Sequence, residues 1–191
     1  MSDFVGAPGP CVALLELSSI ATGIEVTDGL GKEAAVDLLF AKAVSPGKFV
    51  ILFAGPVEEV TSALRRGREV GGDYVLDQLF IPNLEPTLLQ FLLGTPPPLP
   101  GLDAVGLIET DSVASTVRAA DIASKTGSLM VVALHLARGI GGKSWMAVTG
   151  EVSDVESAID EGAADAESQG MLVRRVVIPR PHSFVRDALE S

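Results

Sequence analysis

Few side chains in this sequence are of a type that could carry a reaction. Two histidines, His135 and His182, one cysteine, Cys11, and two glutamates at matching places, Glu16 and Glu109, make up the short list. A nucleophilic triad needs a serine, a histidine and an acid converging in space. His135 lies inside an apolar run and His182 follows a Pro-Arg-Pro turn, so both read as structural or surface residues. A lone cysteine excludes an internal disulfide and any metal site built only from one chain's thiolates. At the start of an apolar strand, Cys11 reads as a small buried hydrophobe. No HExxH, CxxC or EF-hand spacing occurs. The run GIGGKSW (139–145) resembles a phosphate-cradling loop but lacks the GxxxxGK[ST] spacing and joins strand to strand. With no helix after it there is no dipole to hold a phosphate, and a tight hairpin is the plainer reading. The sequence therefore predicts no enzyme, no cofactor and no metal.

The elements that must position these residues occur twice. VALLELSSIA (12–21) is matched by VGLIETDSVA (105–114). Glu16 with Glu109, Asp28 with Asp121 and Lys32 with Lys125 share one offset, and Lys48 with Lys143 lie at a slightly longer one. Ile81-Pro82 and Ile178-Pro179 close the two copies. Such self-similarity marks a duplicated domain. Because Glu16 and Glu109 are repeat equivalents, each is expected to meet a local donor at a strand end rather than to share a catalytic site with the other.

Within each copy, short apolar runs of strand length alternate with helical periodicity. VALLEL and AVGLIET read as strands, followed by helices capped near Ser18-Ser19 and Asp111-Ser112. Ile20, Ile24 and Leu30, and in the second copy Val113, Val117 and Ile122, are predicted on the buried faces of those helices. VDLLFAKAV with FVILFA, and SLMVVALHL with SWMAVT, read as hairpins. A second helix follows in each copy, with Val57, Val60 and Leu64, or Val152, Val155 and Ile159, as its buried face. YVLDQLFIP and MLVRRVVIP close the units as strands. The expected fold is α+β (an α/β sandwich), two tandem ferredoxin-like βαββαβ domains in unpermuted order. The connector GTPPPLPG (94–101) is extended and semi-rigid because its prolines fix φ and lack donors.

Composition narrows the function classes. The 191 residues are 47% apolar, which excludes a disordered linker protein. With 14 basic and 25 acidic side chains the net charge is −11, so neither nucleic acid nor an anionic membrane is expected as a partner. No charge-free apolar stretch reaches the length of a membrane span. The opening MSDFVGAPGP has an acid and no base, unlike a secretory signal.

LLELSSIATGIE, AVSPGKFVILFAGPVEEV, VGLIETDSVASTVRAAD, ARGIGGKSWMAVTGEVSDVESAI and VVIPRPH together cover almost the whole chain. On these segments the sequence resembles the bacterial microcompartment shell proteins of the tandem-domain, trimer-forming class (BMC-T). The resemblance implies a first BMC domain over 10–94, a proline-rich linker over 95–102 and a second BMC domain over 103–191. It implies structural work: a homotrimer with pseudosixfold symmetry, tiling with other microcompartment shell proteins in a shell within the cytoplasm. A central pore for small polar metabolites would be lined by Ser45, Pro46, Gly47, Lys48 and by Ile140, Gly141, Gly142, Lys143 and Ser144. Lys32 and Lys125 match the lysine at the edge where neighbouring hexagons meet. Three copies of Ser144 would set hydroxyls around the axis, and the ammonium groups of Lys48 and Lys143, if they face the channel, would favour anions. In tandem members from propanediol-utilisation compartments a cysteine matches Ser144 and pore cysteines hold an iron–sulfur cluster. Serine is a poor ligand for one, which points to a metal-free pore. Trp145 is expected to pack beneath the loop. Domains of such size bury a modest share of their surface, so an apolar excess independently suggests burial between subunits. The alternative on fold grounds is a soluble ligand-sensing protein built from two ferredoxin-like modules.

Overall fold

A computed structural model describes residues 10–137, 139 and 141–190. In the first copy the order is β1 (Cys11–Leu17), α1 (Ile20–Glu33), β2 (Asp37–Val44), β3 (Lys48–Gly55), α2 (Val57–Gly71) and β4 (Val75–Ile81). The second copy repeats it as β5 (Ala104–Thr110), α4 (Val113–Lys125), β6 (Met130–Leu136), β7 (Ser144–Gly150), α5 (Val152–Ser168) and β8 (Leu172–Ile178). Each copy ends in one further short helix, α3 (Pro86–Leu92) and α6 (Ser183–Glu190), which follow the last strand at the same spacing and were not legible as periodic segments. Each copy forms an antiparallel four-stranded sheet, ordered β2-β3-β1-β4 and β6-β7-β5-β8. This is the ferredoxin-like order expected from βαββαβ connectivity.

Two compact units result. One comprises residues 10–86 together with 137–142, the other 87–136 with 143–190. In the first, α1 and α2 cover one face of the sheet over a core of Leu15, Leu17, Val26, Leu30, Phe49, Ile51 and Phe53. All of β1 is buried, which explains its unbroken apolar run. Ser19 starts α1 by accepting the Thr22 N–H at 3.2 Å, and Ser112 starts α4 by accepting the Ser115 N–H at 3.1 Å.

The buried side of α1 is Gly23, Val26 and Leu30, and this corrects the sequence reading. Ile20 and Ile24 are exposed. Gly23 sets the phase: a Cβ there would stand 2.3 Å from the Phe49 ring, so the helix lies against the sheet at its glycine. Val57 and Val152 are exposed as well, because burial on α2 and α5 begins one turn later, at Val60 and Val155. In the second copy Val113 and Val117 are buried and Ile122 is half-buried, as expected.

In the second unit, α4 and α5 cover one face of the sheet. The other face carries a smaller apolar cluster of Val105, Val132, Ala133 and Ala147, with Leu99, Leu102, Trp145 and Leu189 against it. Here the Arg186 guanidinium on α6 donates to the Leu99 carbonyl at 2.7 Å and the Pro100 carbonyl at 2.9 Å. Residues 95–102 contain no helix or strand and present carbonyls that the prolines cannot pair with donors of their own.

Candidate functional site

The β2–β3 hairpin turns at Ser45-Pro46-Gly47, where Gly47 takes a φ of 111° and its N–H donates to the Val44 carbonyl at 2.9 Å. Residues 137–142 belong to the same compact unit. The Ser45 N–H donates to the Ala137 carbonyl at 3.3 Å. Ala137, Gly139, Gly141 and Gly142 have φ values of 50°, 71°, 67° and 89°, a left-handed run that glycine adopts without strain. Gly142 is confined on its side-chain face: a Cβ would meet Pro46 Cδ at 2.7 Å and the Ser45 carbonyl oxygen at 3.0 Å. At Gly47, Gly139 and Gly141 a Cβ would meet nothing within 4 Å. The two loops thus make one cluster, clasped at Gly142 and open at the other glycines. Such a surface offers backbone N–H and C=O groups to a hydrated solute and holds no nucleophile. Ile140 lies outside the described residues.

The lysines beside the loops are engaged. Lys48 Nζ lies 2.8 Å from Glu16 Oε1, and Lys143 Nζ lies 3.0 Å from Glu109 Oε1. Each glutamate meets a local donor, as the repeat argument predicted. The ammonium groups that would favour anions if they faced a channel are each answered by a carboxylate at contact distance.

Ser144 is a strand residue. It is fully buried at the start of β7, in register with Thr110 and Leu136. Its side of the strand, shared with Met146 and Val148, is the one facing α5: Val148 pairs with Gly106, whose Cβ would meet Ile159 and Val155. Its hydroxyl therefore points to the buried side of the sheet, and the serine at a loop tip is Ser45. Alternation turns Trp145 to the opposite face, where it stacks on His135 with ring centroids 5.8 Å apart and planes 9° from parallel.

Sequence reasoning missed Ala137 and a buried hydroxyl set. Thr110 and Thr116 share a hydrogen bond at 2.7 Å. Setting the copies side by side holds the signal for the latter, since Thr110, Thr116 and Ser144 replace Leu17, Gly23 and Phe49. For Ala137 the sequence carries none, because alanine rarely adopts positive φ.

Lys32 and Lys125 stand in the last turns of α1 and α4, where a cation suits the helix dipole. Lys32 holds Asp28 at 2.6 Å and Lys125 holds Asp121 at 2.7 Å.

An iron–sulfur cluster requires thiolates. The only thiol, Cys11, is buried in β1, and burial pushes its pKa up. The residues present do not fit such a group. Among the described residues, no three His, Cys, Asp or Glu side chains gather as a metal site, and no helix is long and apolar enough to cross a membrane.

The same four-stranded unit, met twice with the same connectivity, defines a tandem-domain protein. The chain belongs to the BMC-domain family of bacterial microcompartment shell proteins, whose pattern matches residues 11–84 and again 104–181. It is 42% identical over 184 residues to the bacterial microcompartment shell protein PduT of Citrobacter freundii, covering 94% of this chain and 98% of that one. The shell protein PduA of the same organism is 36% identical over 88 residues, spanning 46% of this chain and 91% of PduA. A crystal structure of a microcompartment protein from Desulfitobacterium hafniense superposes with a TM-score of 0.82 at 42% identity, covering 94% of this chain and 99% of that one. These relatives are structural proteins, and the chain belongs among shell components rather than enzymes.

Proposed function

We propose that this protein is a shell tile: a homotrimer with pseudosixfold symmetry whose central opening passes small polar metabolites. Its two domains, 10–94 and 103–191, joined by the linker over 95–102, would supply two of six sectors. It would sit in the shell of a bacterial microcompartment in the cytoplasm, beside other shell proteins. The observation that carries the reading is the loop cluster, in which Gly47, Gly139 and Gly141 face open space with no side chain to block a passage. With Lys48 and Lys143 tied to glutamates and Ser144 buried, the passage selects by width and backbone polarity rather than by a ring of charge. The similarity to PduT over nearly both full lengths supports the shell assignment.

Light scattering at micromolar concentration is expected to give the mass of three 19.8 kDa chains. A stable monomer or dimer overturns the trimer. In planar arrays or reconstituted shells, Gly141→Trp is expected to reduce flux of a small polar solute. Unchanged flux removes the conduit and leaves a tile.

A further inference from the structure

The chain has two histidines, and the function proposed above uses neither. Both lie at α6. His182 stands at its start, and His135 lines a cleft whose walls include its last residues, Leu189 and Glu190.

Little holds α6 in place. None of its eight residues is buried. A helix of two turns is marginal in water and depends on its packing and its ends. Leu189 rests against the cluster of Val105, Val132, Ala133 and Ala147, and Arg186 grips the Leu99 and Pro100 carbonyls.

The other support is the helix start, where the first N–H groups have no partner within the helix. The His182 carbonyl accepts the Val185 N–H at 2.9 Å, and its ring Nδ1 accepts the Phe184 N–H at 3.3 Å. Ser183 Oγ lies 3.5 Å from the same nitrogen. The Phe184 ring packs edge-on against the imidazole, with centroids 4.4 Å apart, and keeps it over the helix start. No acidic residue occupies the first turn. Hydroxyls of Ser19 and Ser112 cap α1 and α4 and do not titrate near neutral pH. An imidazole does, and Nδ1 accepts a hydrogen bond only while unprotonated. Protonation therefore removes the acceptor and sets a cation against the positive end of the helix dipole.

The surrounding charges leave that sign unchanged. On α6 they are Arg186, Asp187 and Glu190, with Arg186 3.5 Å from Glu190, and Arg180 precedes the turn. The linker over 95–102 carries none. Of the strands under Leu189, β6 and β7 hold His135 and no other ionisable side chain, and β5 holds Glu109, engaged by Lys143. β8, which leads into the turn, adds Arg174 and Arg175, the latter paired with Asp160. Among the described residues no carboxylate pairs with His182.

We propose that His182 is a proton-operated cap that fastens α6 at neutral pH and loosens it on acidification. The neutral ring favours the docked helix, so docking is complete above about pH 7 and is lost as the pH falls through the range where imidazole charges. When α6 loosens, Arg186 releases the linker carbonyls and Leu189 leaves the cleft lined by Phe91, Leu99, Val132 and Trp145, whose apolar wall then meets solvent. Every part of the device lies in one compact unit, so it operates whatever the oligomeric state.

Hydrogen exchange at pH 7.5 and 5.5 tests this, read by mass spectrometry on α6 and β8 and corrected for the intrinsic pH dependence of exchange. Loss of a helix cap shifts an opening equilibrium by about five-fold. The α6 segment is expected to lose about that factor in protection at pH 5.5 while β8 keeps its own. His182→Asn retains a capping acceptor that does not titrate, and is expected to hold α6 equally at both pH values. His182→Ala is expected to leave α6 weakly protected at both. His135→Gln is expected to respond to pH as the native protein does. Equal α6 protection at both pH values in the native protein, a fall that persists in His182→Asn, or a response abolished by His135→Gln overturns the proposal.

Discussion

Replacing Lys48 with methionine tests how the loop is fastened to the sheet. Glu16 in β1 is fully buried, and its carboxylate is held by Lys48 at 2.8 Å, whose own side chain is 21% exposed. Removing one partner of such a buried pair leaves a charge short of its counterion and costs about 3–5 kcal/mol. The repeat supplies an internal control. Lys143 and Glu109 form the equivalent pair at 3.0 Å, but their side chains are 44% and 36% exposed. Water screens them, so Lys143→Met should cost about 0.2–1 kcal/mol. For a chain of this length each kcal/mol moves Tm by about 2–4 °C. Lys48→Met is thus expected to lower Tm by at least about 6 °C and Lys143→Met by at most about 4 °C. Thermal melts followed by circular dichroism check this, with protein concentration held fixed because assembly adds to apparent stability. Adding Glu16→Gln to Lys48→Met should recover part of the loss, since the stranded charge is gone. Equal Tm shifts for the two lysine variants, or no recovery in the double variant, would refute the reasoning.

Gly142→Ala combines a left-handed backbone with a contact to Pro46 and should cost about 1–3 kcal/mol, whereas Gly141→Ala should cost only the conformational part, about 1–2 kcal/mol; urea unfolding midpoints separate them. Lys32→Ala with Lys125→Ala should leave the trimer mass unchanged while reducing incorporation into sheets or shells, and unchanged incorporation would return both lysines to an ordinary solvated role. Because burial raises the pKa of Cys11, the native protein should resist alkylation at mildly alkaline pH and react stoichiometrically once unfolded, as read by mass spectrometry.

The sequence carried the repeat, the βαββαβ order of elements and the expectation that Glu16 and Glu109 each meet a local donor, because each depends on local periodicity or on the equivalence of the two copies. It did not carry the phase of α1. Ile20 and Ile24 have the chemistry of a core, and only Gly23 beneath Phe49 shows which side of the helix meets the sheet. The burial of Ser144 was not legible for a related reason. SWMAVT reads as a strand from its sequence, yet which face its first residue takes is set by the pleat of β7, which turns the Ser144 hydroxyl inward. The helices α3 and α6 are short, 7 and 8 residues, and too brief for periodicity to stand out from flanking turns. The loop cluster itself joins residues about ninety positions apart, a proximity no local pattern encodes.

Residues 137–142 complete the compact unit that otherwise ends at residue 86. A ribosome makes the chain from its N-terminus, so that unit lacks its last strip of backbone until most of the second copy has been translated. The earlier half can gather its sheet and helices, but its Ser45 turn has no Ala137 carbonyl to meet until then. Closure of the loop cluster is thereby tied to the arrival of the second half. A chain that stopped before residue 137 would leave the Ser45 N–H without that carbonyl.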